Sequence, residues 1–141
     1  MGDRTGQCLC GAVTYRISAD PVATRVCWCR TCQRIAANGT VNMVVPTSGL
    51  EISGNLSDYL STADSGTEIR RRFCPTCGSH MFANASSRPQ FTVVRVGTLD
   101  DPSSVRPAMN IWAQRAPSWA CLDDGLERVE GQPGPPQAPP K

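Results

Sequence analysis

All but one of the eight cysteines in this 141-residue chain fall into three short runs, and their spacing constrains the fold more than any other feature. Cys8 and Cys10 form C-x-C. Cys27, Cys29 and Cys32 form C-x-C-x-x-C, Cys74 and Cys77 form C-x-x-C, and Cys121 stands alone. The N-terminus, "MGDRTGQCLCG", has neither a basic start nor an apolar signal core, so a cytoplasmic location with reduced thiols is expected. Cysteine clusters in such a compartment serve coordination or redox work rather than disulfides. The central run is odd in number for disulfides and one ligand short of a closed metal tetrahedron.

A chain of this length suits one hydrophobic core. The expected division is one zinc-binding domain over residues 1–131 and a Pro-rich disordered tail over 132–141, "QPGPPQAPPK", in which only Ala138 is apolar. No apolar run approaches the roughly 18 residues needed to span a bilayer, so no membrane partner is expected. Net charge is +2, nearly all the positive charge is arginine, and the only lysine is Lys141. Without a basic stripe interleaved with aromatics, no nucleic-acid partner is expected either.

Apolar and polar residues alternate as in a β protein. Val13, Tyr15 and Ile17 share one face of the segment Ala12 to Ser18. Over Phe91 to Leu99, the set Phe91, Val93, Arg95 and Gly97 opposes Thr92, Val94 and Val96. Shorter strands are predicted over Thr40 to Val45, Leu50 to Ser53, Ser57 to Leu60, Glu68 to Phe73, Met81 to Asn84 and Asn110 to Ala113. Pro46, Gly49, Gly54, Gly66 and Gly78 punctuate them. One short helix is predicted from Arg30 to Ala37, closed by Gly39. The fold class is mainly β.

"FCPTCGSHMF" carries the most specific chemical signal. In a C-P-x-C-G knuckle the proline pre-sets the turn and the glycine accepts positive φ, so backbone N–H groups point at the thiolates. "CLCGAV" offers a second half-site. Together Cys8, Cys10, Cys74 and Cys77 make one four-thiolate zinc centre, although Cys27 and Cys29 compete for the same metal on spacing alone. The remaining Cys27, Cys29 and Cys32 then hold a zinc with an open position, the mark of a catalytic site. Closure of that site by Cys121 or His80 is the structural alternative. His80, the single histidine, begins a strand directly after the knuckle, which favours a non-catalytic place for it.

The succession "GQCLCGAVTYRI", "CWCRTCQR", "RRRFCPTCGSHMF", "VRVGTLDDP" and "NIWAQRAPSW" resembles the glutathione-dependent formaldehyde-activating enzyme family, which includes relatives of centromere protein V. The resemblance runs from about Gly6 to Glu130. It implies a β-tent fold of small antiparallel sheets with one short helix and two zinc sites. It also implies Cys8, Cys10, Cys74 and Cys77 as structural ligands, with Cys27, Cys29 and Cys32 as the catalytic set. Family members usually carry histidine between the first two cysteines of the triple motif, where this chain has Trp28.

The expected activity is that of a carbon-sulfur lyase or synthase. A small thiol, glutathione by analogy, binds the open zinc and adds to, or leaves, an aldehyde-type electrophile. Arg70 and Arg72, which share a face of the run "RRRF", are candidates to hold its carboxylates. The competing expectation is a non-catalytic zinc module for protein or nucleic acid, or an inactive homologue, which Trp28 favours.

Overall fold

The structure is a computed structural model and describes residues 2–63 and 65–134. The chain begins with β1 (Arg4–Gln7), β2 (Thr14–Ile17) and β3 (Ala23–Cys27), followed by helix α1 (Arg30–Ala36). Then come β4 (Thr40–Pro46), β5 (Leu50–Ser53), β6 (Ser57–Thr62), β7 (Glu68–Phe73), β8 (His80–Ala85) and β9 (Phe91–Arg95). The last strands are β10 (Met109–Ile111) and β11 (Glu127–Arg128). Residues 135–141 of the expected tail lie outside the described residues. Gln132, at the start of that tail, accepts a hydrogen bond of 2.8 Å from Trp112 Nε1.

The strands make two sheets. The smaller is antiparallel, in the order β1-β2-β5; the larger has eight strands in the order β11-β10-β3-β4-β9-β8-β7-β6. The expected mainly β architecture with small sheets and one short helix is the one observed. At one edge the larger sheet adds two parallel pairings, β3 with β10 and β10 with β11, the second made possible by the long segment from Trp112 to Leu126 that joins those strands.

The core lies between the sheets. Tyr15 and Ile17 of the smaller sheet, with Val13 just before β2, pack with Met43, Val45, Met81, Phe82 and Val94 of the larger one. Tyr15 meets Phe82 edge to face at 5.3 Å. Each fully buried aliphatic or aromatic side chain here contributes roughly 1.5–3 kcal/mol. The alternation expected for Thr92, Val94 and Val96 holds, since all three are buried. Strand β9 stops at Arg95, and Val96–Thr98 turns as a single 3-10 helix. This turn brings Thr98 to within 2.7 Å of the Tyr15 hydroxyl.

Three strands escaped the sequence pattern. Strand β1 is polar and lies at a sheet edge, and β11 has only two residues. Strand β3 sits between β4 and β10 and is covered in part on both faces, so its residues, ATRVC, show no clean alternation. Helix α1 ends one residue earlier than expected, because Ala37 adopts the left-handed conformation at φ 60°. Gly39 does not close the helix. Its backbone passes so close to the Trp28 indole that a Cβ would stand 2.8 Å from the ring.

Candidate metal and thiol site

Two turns, one from each sheet, converge on the first cysteine cluster. The turn between β1 and β2 carries Cys8 and Cys10; the turn between β7 and β8 carries Cys74 and Cys77. All four sulfurs lie within 4.8 Å of one another. Cys10 Sγ is 3.7 Å from Cys8 Sγ and 3.8 Å from Cys74 Sγ. Positive φ at Gly11 and Gly78 turns the backbone back on the sulfurs: Val13 N–H donates to Cys8 Sγ at 3.3 Å. Ser79 couples the two turns, since its Oγ accepts from Leu9 N–H at 3.0 Å and lies 3.2 Å from Cys77 Sγ. The Ser79 hydroxyl, then its backbone N–H, hold the Cys77 thiol down at about 5.

Cys27, Cys29 and Cys32 form the second cluster, again with sulfurs within 4.8 Å. Cys27 ends β3, opposite Thr40 on β4 and Ile111 on β10. Cys29 caps α1, its Sγ accepting from Cys32 N–H at 3.3 Å. Buried Gln33 braces the loop by donating from Nε2 to Trp28 O at 2.7 Å and to Arg115 O at 3.0 Å. Hydrogen bonding with the Cys29 thiol, then the Cys32 thiol, and then burial push the Cys27 thiol far up. Cys32 moves the other way, stabilised as thiolate by Cys27 and Cys29 and further by Thr40 and Arg95. Three sulfurs this close cannot all ionise without a cation among them.

The clusters therefore group as four and three. Among the described residues neither His80 nor the exposed Cys121 joins either group. No cysteine forms a disulfide there; all eight are free. The walls of the second cluster differ in character. One is apolar, with Ile111 at its centre and Met109, Trp112 and Val129 packed around it. Trp112 takes φ 53°, a left-handed conformation that costs a bulky residue about 1–3 kcal/mol and is held by Trp112 N–H to Gly131 O. The other wall is polar: Arg95 Nη1 donates to Thr40 Oγ1 at 3.3 Å and to Asn42 Oδ1.

Several expected participants stand elsewhere. Arg70 and Arg72 lie on the opposite sheet face from Cys27: Arg72 stacks over Phe82 at 5.3 Å and donates to Asn84, and Arg70 pairs with Asp58 at 3.4 Å. Trp28 is 4% exposed, its ring against Gly39 and its Nε1 3.4 Å from Asn110 Oδ1. Sequence reasoning passed over Arg25, Arg95, Gln33 and Trp112, and in the run "RRRF" it singled out Arg70 and Arg72 rather than Arg71, which shares the other face with Phe73. For Arg25 a signal existed, since it lies two residues before Cys27 on one strand and so shares its face.

Fold and site define a mainly β protein with two cysteine clusters, each able to hold a metal ion. Residues 3–115 match the family described as glutathione-dependent formaldehyde-activating enzyme, and the chain belongs to that family. Among solved structures it is similar to the crystal structure of a Rhodobacter sphaeroides protein, a structural-genomics target. The two are 28% identical, with a TM-score of 0.55 over 73% of this chain and 91% of that one. No curated protein matches the chain.

Proposed function

We propose that this chain is a zinc-dependent enzyme of the carbon-sulfur lyase type that joins a small thiol to an aldehyde-type electrophile, or reverses that addition. The carrying observation is the group of three cysteines, Cys27, Cys29 and Cys32, with no fourth protein ligand among the described residues. One zinc is structural, at Cys8, Cys10, Cys74 and Cys77, and the second is catalytic. Zinc–thiolate bonds of about 2.3 Å in a tetrahedron separate the sulfurs by about 3.8 Å. The spacings of 3.7 and 3.8 Å in the first cluster support this donor set.

When bound at the second cluster, zinc would supply the positive charge that lets a coordinated thiol ionise near neutral pH. The chain's own residues provide the rest. Cys27, Cys29 and Cys32 hold the site on a loop that Gln33 pins from behind. Ile111 and Trp112 form a dry side against which the carbon portion of a thiol packs. In the forward direction the sulfur–carbon bond forms at the carbonyl carbon, and the thiol proton ends on the carbonyl oxygen. Family membership supports glutathione as the thiol. Among the described residues no helix is long and apolar enough to cross a membrane. Grouping of the cysteines into clusters suited to a metal supports a cytoplasmic setting.

Cobalt substitution tests this reading. Two metals per chain, with one site changing its visible spectrum on addition of a thiol, is the expected result, together with faster exchange between formaldehyde and its thiol adduct. Two metals that are both blind to added thiol would overturn it.

A further inference from the structure

The larger sheet has a second face, turned away from the core, and it is unusually basic beside the three cysteines. Register puts Arg25 opposite Asn42 and Asn42 opposite Arg95, on the same face as Cys27 and Thr40. On that face Arg71 stands opposite Ala83, and Ala83 opposite Val93. Phe73, two residues beyond Arg71, stacks on the His80 ring at 5.2 Å.

These cations lack counter-charges. The ion pairs among the described residues engage Arg4, Arg16, Arg70 and Arg128, and none engages Arg25, Arg71 or Arg95. The Nε atoms of these three arginines and Nδ1 of His80 are closed to solvent and have no hydrogen-bond partner. Burial, then Arg95, then Arg71 push the His80 pKa down, which favours the neutral imidazole over a third cation beside the arginines. Gathering guanidinium groups without a carboxylate is unfavourable unless an anion completes the site.

The cysteine site supplies only part of that anion. Arg95 stands between the two regions: it pairs with Asn42, the register partner of Arg25, and its Nη1 donates to Asn42 Oδ1 and to Thr40 Oγ1. Thr40 is the register partner of Cys27, so the basic region begins one side chain away from the cysteines. Arg71 uses Nη1 on Ser61 Oγ at 2.8 Å, which aims it without neutralising it.

We propose that Arg71, Arg95 and His80 form an anion subsite for a carboxylate of the reacting molecule, within a few bonds of its reacting sulfur or carbonyl carbon. The preferred substrate is then a compact organic acid rather than a neutral thiol or aldehyde. Arginine suits this role because its planar fork matches a carboxylate. The inference rests on the reading of Cys27, Cys29 and Cys32 as the thiol-binding site.

Calorimetric titration of the metal-containing protein with mercaptoacetate, 2-mercaptoethanol and acetate tests it and separates the two readings. Mercaptoacetate should bind at least about tenfold more tightly than 2-mercaptoethanol, and Arg95→Gln and Arg71→Gln should each erase most of that preference. Arg95→Lys should retain part of it. Equal affinity for the two thiols overturns the anion subsite and leaves the thiol site standing. Failure of both thiols, with acetate binding the unaltered protein but neither glutamine variant, removes the thiol site and keeps the anion subsite. Metal content and thermal stability of each variant complete the design. If Arg95→Gln releases metal while Arg71→Gln keeps the full preference, the arginines only balance the charge of the cysteines, and the proposal fails.

Discussion

The indole of Trp28 lies against the backbone of Gly39, with room for no side chain between them. Gly39→Ala must displace the ring or bend the strand entrance, at a cost of about 1–3 kcal/mol. Thermal unfolding should show a drop of several degrees, with metal content unchanged in the folded fraction. The same geometry governs Trp28→His. Removing most of a buried indole leaves a cavity, so that variant should lose about 2–4 kcal/mol of stability rather than gain a proton carrier at the cysteines.

Ser79 sits between the two turns of the four-cysteine cluster. A hydrogen bond to a thiolate favours the charged form, so Ser79→Ala should raise the Cys77 pKa. Protons then compete better with the metal. On acidification, metal should leave the variant at a higher pH than it leaves the unaltered protein, and a colorimetric chelator assay across a pH series reads this directly. An unchanged midpoint would show that the hydroxyl does not reach the ligand.

Cys77→Ala and Cys32→Ala should part company. The four-cysteine cluster clips turns from two different sheets, and a structural zinc contributes roughly 10–16 kcal/mol of apparent binding energy. That rivals the whole stability of a domain, roughly 5–15 kcal/mol. Cys77→Ala should therefore give misfolded or insoluble protein. Cys32→Ala touches one loop and one short helix, so it should fold, hold about one metal and lose thiol binding. Equal collapse of both proteins in thermal unfolding would make the three-cysteine cluster structural.

Gln33 provides a milder lesion of the same loop. Gln33→Ala leaves the Trp28 and Arg115 carbonyls without their donor, at a cost of about 1–3 kcal/mol. Competition with a chelator should show weaker metal retention at Cys27, Cys29 and Cys32 and normal retention at the other cluster.

The sequence by itself determined what depends on neighbours along the chain. Alternation of Val13, Tyr15 and Ile17 marked a strand with one buried face, and the knuckle around Cys74 and Cys77 marked half of a cluster able to hold a metal, because both follow from local backbone geometry. Tertiary structure decided everything that depends on register between distant strands. Arg71 and Arg72 are adjacent in the run "RRRF", yet pairing of β7 with β8 sends Arg72 over Phe82 and Arg71 to the face of the cysteines. Trp28 is flanked by two cysteines in sequence, and only the approach of Gly39 and Asn110 makes it a core residue. Side chains on a strand alternate with a period of two, so a strand's own residues define two faces; which face meets the core and which meets the site is set by strands dozens of residues away.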